Sequence, residues 1–364
     1  MNSAGTIIIL AGALLLGTAA TAQVSLTPPG LGPPPASRPP AKPAPKPPAK
    51  KPAAAPAPSP APPPAPEARP PGIPILPNAI AAPTPDDPNT DIVYGAFQRG
   101  QYKTAFDLAS RRAQAGDPKA MTMLGELYSN AFGVKRDYAK AIEWYKRAAD
   151  AGDREAMFAL AMIRLSGRGA PADKQDAVKL LASSAKLGEP KAAYNLALLY
   201  LDGQTLPQDI KRSAELLRMA ADAGNPEAQY ALATFYKEGN GVPKDPERAV
   251  RLLQQAALAD NVDAEVEYAI ALFNGTGTPK NETAAVALLR RAARQSSPIA
   301  QNRLARVLVT GRGAPIDLVE GLKWHQIAKT AGNGDPMLDD AFAQLGADDR
   351  AKVEAAVRRW FGNK

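Results

Sequence analysis

The sequence has no cysteine and a single histidine, His325, among its 364 residues. The missing thiols exclude disulfides, thiolate metal sites and cysteine nucleophiles, so packing alone must stabilise any folded domain. One imidazole is too few for a multi-histidine zinc site or for a mechanism that needs two imidazoles. A carboxylate-only mechanism stays open, but the composition argues against an enzyme, and we predict no cofactor and no metal.

Aromatic residues are also scarce, at 6% of the chain. The net charge of +8 is not concentrated in one segment. Residues 23–90 contain six bases and three acids, which leaves an excess of five bases for residues 91–364. No run of arginine and lysine is interleaved with aromatic residues, as a groove that stacks nucleotide bases would require. We therefore expect a solvated basic surface and no nucleic-acid partner.

The apolar run at residues 7–16 is too short to span a bilayer comfortably. Small residues follow it and end in Ala20-Thr21-Ala22, an A-x-A processing site. We predict that residues 1–22 are a signal peptide and that the mature chain begins at Gln23. The mature protein is then expected in the periplasm, without stable membrane insertion. Because no lysine or arginine precedes the apolar run, an uncleaved anchor is the alternative.

Residues 23–90 contain 26 of the 37 prolines. Proline fixes φ and lacks a backbone donor, so this segment cannot form a core and is predicted to be a disordered tether rich in polyproline II. At about 3.1 Å per residue, such a spacer reaches up to roughly 200 Å.

Residues 117–332 divide without a gap into six blocks of 36 residues. The blocks begin at Asp117, Asp153, Glu189, Asn225, Asn261 and Ser297. With positions in a block numbered as columns, column 4 is always alanine and column 9 is always glycine or alanine. Columns 4, 8, 11 and 12, and again 25, 28, 29 and 32, are mostly apolar or small, with helical spacing. Each block is therefore predicted to form two amphipathic helices that stack on the next block.

Capping residues support these boundaries. Column 1 holds Asp, Asn, Ser or Glu, often followed by proline, and column 21 holds Asp in five of the six blocks. Glycines in columns 15, 17 and 36 suit helix ends in the left-handed conformation. Five residues replace the usual glycine or proline of these turns, so the local turn geometry is uncertain there. They are Ala131, Lys135, Thr205, Asp260 and Ser296.

The blocks AMTMLGELYSNAFGVKRDYAKAIEWYKRAADAG and AQYALATFYKEGNGVPKDPERAVRLLQQAALAD resemble the Sel-like repeat family, which is related to the tetratricopeptide repeat. The resemblance covers residues 91–364. It implies an all-α fold, a right-handed α-solenoid of helix-turn-helix repeats, and a role in binding protein partners. Residues 91–116 are expected to form lead-in helices with apolar faces, and residues 333–364 are expected to form capping helices. The apolar residues assigned to these ends are Tyr94, Phe97, Tyr102, Ala105, Phe106 and Leu108, then Val353, Val357, Trp360 and Phe361.

Isolated candidates for chemistry are better explained as structure. His325 occupies column 29, which holds leucine or tyrosine in the other blocks, so a packed histidine is expected. The two Gly-Arg-Gly sequences, at residues 167–169 and 311–313, fall in the helix-ending turn and lack the rest of a phosphate-binding motif. Asn281 stands in the cap column, where a helix cap is expected.

Columns 3, 7, 10 and 14 define a second stripe on the first helix of each block. Its candidate partner-binding residues are Glu155, Met162, Lys191, Asn195, Leu198, Asp202, Glu227, Thr234, Glu238, Asp263, Glu267, Ile270, Arg303 and Arg306. The middle of this stripe holds six acids and one base, and its carboxy-terminal end holds two arginines. We predict a non-enzymatic interaction scaffold of the cell envelope whose concave groove takes a basic or polar protein segment. The alternative is a module that binds peptidoglycan or regulates a wall hydrolase.

Overall fold

The computed structural model describes residues 91–362, so the predicted signal peptide and tether lie outside the described residues. The described residues form sixteen α-helices and no strand. The helices are α1 Ile92–Gln98, α2 Tyr102–Gln114, α3 Pro118–Asn130, α4 Tyr138–Asp150, α5 Arg154–Ser166, α6 Lys174–Lys186, α7 Pro190–Asp202, α8 Ile210–Asp222, α9 Pro226–Glu238, α10 Pro246–Leu258, α11 Val262–Asn274, α12 Glu282–Arg294, α13 Pro298–Thr310, α14 Leu318–Thr330, α15 Pro336–Ala343 and α16 Ala347–Gly362. None of these helices is long and apolar enough to cross a membrane.

Helices α3 to α14 form six consecutive pairs, one pair in each predicted block. We call α3, α5, α7, α9, α11 and α13 the first helices, and α4, α6, α8, α10, α12 and α14 the second helices. Each first helix packs against the second helix of its own pair and against the helix that precedes it in the chain. This chain of neighbouring contacts is the predicted α-solenoid.

Side-chain caps explain why the helices begin where they do. The side chain of Asn225 accepts a hydrogen bond from the backbone N–H of Ala228 at 2.7 Å, and Pro226 supplies the first helical residue. Asp245 caps the second helix of the same pair by accepting from the N–H of Arg248 at 2.9 Å. The cap expected at Asn281 is confirmed, because its side chain accepts from Ala284 at 3.0 Å.

The turns keep their geometry at most positions where glycine is replaced. Ala131, Asp260 and Ser296 have φ values of 62°, 61° and 71°, in the left-handed region that the equivalent glycines occupy. Thr205 is different, since its φ is not positive whereas the five column 17 glycines all have positive φ. The third repeat therefore ends its first helix with a distinct loop.

The predicted core columns lie between the helices. The six alanines of column 4 are at most 2% exposed, and column 9 is buried in every repeat. A Cβ atom on Gly125 in column 9 would lie 2.6 Å from the ring of Tyr145, so this column demands a small residue. Column 32 is also completely buried, which lets the second helices approach their neighbours closely.

Three polar side chains in column 5 lie in the core, which the periodicity does not predict. Gln229 donates to the carbonyl of Ala221 at 3.2 Å, and Gln301 donates to the carbonyl of Ala293 at 3.1 Å. Both acceptors belong to column 33 of the preceding repeat. The third side chain, Glu265, is fully buried and accepts from Arg291, whose guanidinium also reaches the column 33 carbonyl of the preceding repeat. These bonds tie successive repeats together, and the buried side-chain oxygen of Gln229 is the one atom among them without a hydrogen-bond partner within residues 91–362.

Both ends of the array are covered, although not by every residue predicted. At the amino-terminal end, Ala105 is buried as expected, but Tyr94 is 52% exposed, and Val93 and Ala96 fill the core instead. This assignment of Tyr94 was wrong because α1 turns its valine and alanine face inward.

At the carboxy-terminal end, Val353 is buried against α14, and Trp360 packs edge-on against Trp324 at 5.0 Å between ring centroids. Phe361 is 48% exposed and does not cover the last repeat, so its prediction was also wrong. It lies one residue beyond Trp360 and therefore about 100° around the helix.

Candidate functional site

The predicted stripe lies on one side-chain row of five successive first helices, α5, α7, α9, α11 and α13. All fourteen of its residues are exposed or half-buried, and none belongs to the core. We call this row, with the residues given above, the first-helix face. The buried Ala231, which occupies column 7 of the fourth repeat, interrupts its polar character there.

Most carboxylates of the first-helix face have no cation of their own. Within residues 91–362, no hydrogen bond or ion pair engages the side chains at four of the six acidic positions, Glu155, Asp202, Glu227 and Asp263. Glu238 accepts only from Asn240, at 2.7 Å. The remaining acid, Glu267, contacts Lys237 of the preceding repeat at 3.0 Å. The face therefore presents negative charge to solvent over several repeats.

Two tyrosines lie beside these carboxylates. Burial, together with Glu227, raises the pKa of Tyr194. Burial, then Glu267, Asp263 and Glu238, raises the pKa of Tyr230 to about 12. The three acids that act on Tyr230 come from two adjacent repeats, so the fold brings them to one locus. We call Tyr194, Tyr230, Glu227, Glu238, Asp263 and Glu267 together the acidic patch.

Sequence reasoning missed both tyrosines. They occupy column 6, which lies between the core stripe and the accessible stripe, and both are half-buried. A usable signal was present, because column 6 is aromatic in three successive repeats, with Phe158 before the two tyrosines. A half-buried phenol offers an apolar ring to a ligand and keeps its hydroxyl as a hydrogen-bond donor.

The arginines at the end of the stripe have different roles. Arg306 forms an ion pair with Asp335, which is 2% exposed and caps α15, so its charge helps to hold the carboxy-terminal helices. Arg303 keeps no such partner, and burial together with the nearby charge of Arg306 lowers its pKa. The basic end of the face therefore rests mainly on Arg303.

The polar and apolar residues predicted to hold a ligand are also accessible. Asn195 donates from Nδ2 to the carbonyl of Lys191 in its own helix at 2.8 Å, which leaves its side-chain oxygen as the group that faces a ligand. The hydroxyl of Thr234 likewise bonds within its helix, to the carbonyl of Tyr230 at 3.3 Å. Three apolar side chains of the face are half-buried, namely Met162, Leu198 and Ile270.

Other possible sites of chemistry prove to be structural. His325 is fully buried, and its Nε2 lies 2.9 Å from Oδ1 of Asp339, which also contacts Lys329. Arg312, from one of the Gly-Arg-Gly turns, donates to Glu282 at 3.2 Å and covers the ring of Phe273. Within the part of the chain that the structure describes, no group of three acidic, histidine or cysteine side chains is arranged to hold a metal ion.

An open cleft of about 890 Å³ lies between α14 and α16, beside Trp360. Its two lysines are both occupied, Lys323 by Glu320 and Lys352 by Asp349, each at 2.7 Å. Arg359 is the one charged lining residue without an ion pair within residues 91–362, so the cleft has less free charge than the first-helix face.

The repeats match a known family. The model of the Sel1 repeat matches six consecutive segments, at residues 118–153, 154–189, 190–225, 226–261, 262–297 and 298–333. These segments have the predicted period and begin one residue later than the blocks defined above. No curated protein matches the chain.

Solved structures share the same architecture. The protein c5321, a protective antigen present in uropathogenic Escherichia coli strains and displaying an SLR fold, is 27% identical, with a TM-score of 0.64. That match covers 74% of this chain but only 59% of the length of c5321. A Sel1 repeat protein from Oxalobacter formigenes is 28% identical, with a TM-score of 0.59, and the match covers 66% of this chain and 98% of the other.

Proposed function

This chain belongs to the Sel1 repeat family, and from that premise we propose that it is an interaction scaffold whose first-helix face binds an extended basic or polar protein segment. Sel1 repeat proteins generally mediate protein–protein interactions. The observation that carries the specific proposal is the set of unpaired carboxylates along successive first helices.

Charge and shape both support an extended ligand. Carboxylates distributed over several stacked helices match a ligand whose basic side chains are spread along its length, because each can form a charge-assisted hydrogen bond. In stacks of helix pairs, the first helices line the concave side, where a chain can contact several repeats at once. Met162, Leu198 and Ile270 add apolar contacts between the charged positions.

Charge reversal of Glu227 and Glu238 to lysine tests the proposal. The matched control reverses Glu247 and Asp222, which hold the equivalent second and last positions in the helices α10 and α8. Each double variant therefore changes the helix dipole interactions in the same way: lysine costs about 0.3–1 kcal/mol at the second position and stabilises by a similar amount at the last position. Circular dichroism should show unchanged helicity in both.

Binding is measured by quantitative capture of envelope proteins on the mature chain and on each variant, and separately on isolated wall sacculi. We expect specific protein partners to be lost by the Glu227→Lys/Glu238→Lys variant and retained by the control. Their retention should weaken as salt rises, because the Debye length falls from about 10 Å at 0.1 M to about 3 Å at 1 M. Equal retention by both variants would exclude the first-helix face, and retention on sacculi alone would favour the wall-binding alternative.

We place the protein in the periplasm as part of the same proposal, because the apolar run at residues 7–16 and the Ala20-Thr21-Ala22 site are typical of a cleaved signal peptide. The expected product is a mature chain that begins at Gln23. Intact-mass measurement of the protein in soluble and membrane fractions of the envelope provides the test. A membrane-bound protein that keeps residues 1–22 would contradict this location and support the anchor.

A further inference from the structure

We propose that Arg218 and Arg248, on the second helices α8 and α10, bind a carboxylate of an acidic protein segment. We call these two residues the arginine pair. The inference goes beyond the proposed function, because it concerns other helices and a ligand of the opposite charge. The scaffold then has a second contact surface, which holds an acidic segment while the first-helix face holds a basic or polar one.

A buried tyrosine brings the two guanidiniums together. Nη2 of Arg218 donates to the hydroxyl oxygen of Tyr236 at 3.1 Å, and Nη1 of Arg248 donates to the same oxygen at 3.4 Å. The guanidinium of Arg248 also lies over the ring of Tyr236, 5.6 Å from the ring centroid. Because Tyr236 is only 5% exposed, it is a fixed anchor for both. Arg218 belongs to the third repeat and the other two residues to the fourth, so the stacking of repeats assembles the pair.

Neighbouring acids do not balance the charge of the arginine pair. Within the described part of the chain, no carboxylate lies within ion-pair distance of Arg218. The acid one helical turn before it, Glu215, is bonded to Arg212 at 2.7 Å. Asp245 contacts Nε of Arg248 at 3.1 Å. The pair therefore has two bases against one acid, and that acid lies at one end of the site.

Two other repeats carry an acid where this site has an arginine. In the sixth repeat, column 24 is Glu320, which contacts Arg290 in column 30 of the fifth repeat at 3.8 Å. In the second repeat, column 24 is Asp176, which contacts an arginine of the same repeat at 3.2 Å. In the fourth repeat, column 24 is Arg248, and Arg218 occupies column 30 of the repeat before it. A carboxylate that the chain itself supplies elsewhere is therefore missing here, and an external carboxylate takes its role.

The chemistry of the arginine pair suits a carboxylate. A guanidinium has five N–H donors in a planar fork, and the hydroxyl of Tyr236 takes one nitrogen of each. A carboxylate accepts two parallel hydrogen bonds from such a fork, and these charge-assisted bonds are stronger than neutral ones. Both arginines are exposed, so their remaining donors are open to a ligand.

An exposed methionine favours a protein segment over a free anion. Met219 follows Arg218 in α8 and is 48% exposed. Its flexible thioether side chain can pack against apolar groups of many shapes. A segment that carries an apolar residue beside its acid uses both contacts, whereas inorganic phosphate uses only the charge.

Binding of a defined peptide to the mature chain, residues 23–364, tests the inference. The probe is a fluorescent peptide of glutamate, leucine and serine, and the same peptide with glutamine in place of glutamate is its control. The Arg218→Gln/Arg248→Gln variant removes the arginine pair. The matched Arg212→Gln/Arg251→Gln variant removes two exposed arginines of the same helices, each paired with an acid of its own helix, so both variants lose the same charge.

Fluorescence anisotropy gives the Kd of each combination. We expect the glutamate peptide to bind about tenfold more weakly when the arginine pair is removed, or about threefold for each lost exposed ion pair, and to bind the matched variant within about twofold of the unchanged chain. Equal weakening by both variants would overturn the inference, because the peptide would then sense only net charge. Absence of binding, or equal binding of the glutamine peptide, would also overturn it.

Competition with inorganic phosphate separates the two kinds of anion. Phosphate should displace the peptide only near about 0.1 M, where it acts as ordinary screening salt. Displacement at about 1 mM, where screening is weak, would overturn the carboxylate assignment in favour of a phosphate site.

Chemical protection locates the contact. Phenylglyoxal modifies accessible guanidiniums, and peptide mass spectrometry gives the rate at each arginine. At about five times its Kd, the glutamate peptide should slow modification of Arg218 and Arg248 about sixfold, by the factor 1 + [L]/Kd, and leave Arg212 and Arg251 unchanged. Equal protection of all four would overturn the inference. In sedimentation without peptide, a dimer that is lost in the Arg218→Gln/Arg248→Gln variant would overturn it in favour of a second copy as the occupant.

Discussion

The fifth repeat offers a quantitative test of how the repeats are joined, through the buried pair of Glu265 and Arg291. Nε of Arg291 donates to Oε1 of Glu265 at 2.6 Å, and its Nη2 donates to the carbonyl of Ala257 at 2.9 Å. The side chain of Glu265 is 0% exposed, whereas that of Arg291 is 41% exposed. This asymmetry predicts that losing the arginine is far more harmful than losing the acid.

Substitution of Arg291 by isoleucine leaves the carboxylate of Glu265 buried, with only the amide of Gln295 at 3.5 Å as a partner. Stranding a buried charge typically costs about 3–5 kcal/mol. Glu265→Gln should cost only about 1 kcal/mol, because Arg291 can return to water and the new amide can donate to the carbonyl of Ala257.

The sixth repeat supplies the design for a rescue. There the same two columns hold Gln301 and Ile327, and Gln301 donates directly to the column 33 carbonyl of the preceding repeat at 3.1 Å. The double variant Glu265→Gln/Arg291→Ile reproduces that arrangement in the fifth repeat. We therefore expect it to regain at least about 2 kcal/mol over Arg291→Ile alone, a coupling within the range measured for residues in contact.

Urea unfolding followed by circular dichroism gives the free energies of unfolding for the three variants. Repeat arrays can unfold in parts, so hydrogen exchange at α11 and α12 should accompany it and show whether protection is lost locally. Equal losses from Arg291→Ile and Glu265→Gln, or a double variant no more stable than Arg291→Ile, would refute the reasoning.

Three other predictions test the core, the turns and the acidic patch. Ala233→Leu should lower the free energy of unfolding by about 1–3 kcal/mol through overpacking, and the same change at the exposed Ala182 should have little effect in urea melts. Gly241→Ala should lower the free energy of unfolding more than Gly224→Ala. Both glycines have positive φ, and this backbone strain alone should cost Gly224→Ala about 1–2 kcal/mol. At Gly241 the new Cβ would in addition lie 2.8 Å from a backbone oxygen. Tyr230 has a pKa of about 12, above its ordinary value near 10, so folding favours the neutral phenol and stability should fall as pH rises from about 10 through 12. An absorbance titration against Tyr230→Phe should show one fewer late-ionising tyrosine, and an unchanged curve would contradict the assignment.

Much of the fold follows from the sequence because its determinants are local and repeated. Helix caps such as Asn225 and Asp245 recur at fixed intervals, and so do the small residues of columns 4 and 9. The helix boundaries and core positions predicted for one repeat are therefore supported by the other repeats. Periodicity failed where burial involves polar groups. Glu265 reads as a surface residue, and only the position of Arg291, 26 residues later, shows that it is paired in the core.

The exposure of the first-helix face also follows from helical spacing. The contacts that its residues make with neighbouring side chains do not. The role of Arg306 depends on Asp335, which lies outside the repeats and has no equivalent in another block. The tyrosines of the acidic patch lie on the border between two stripes, where helical spacing does not separate buried from exposed positions.

The identical length of all six repeats also bears on how this protein can change over time. Because every repeat has 36 residues and meets its neighbours through the same columns, removal or duplication of one whole repeat joins surfaces that already fit. The reach of the first-helix face thus grows or shrinks in steps of one helix pair, without the need for a new contact to evolve. A lineage can in this way adjust how long a ligand its scaffold accommodates by unequal recombination alone.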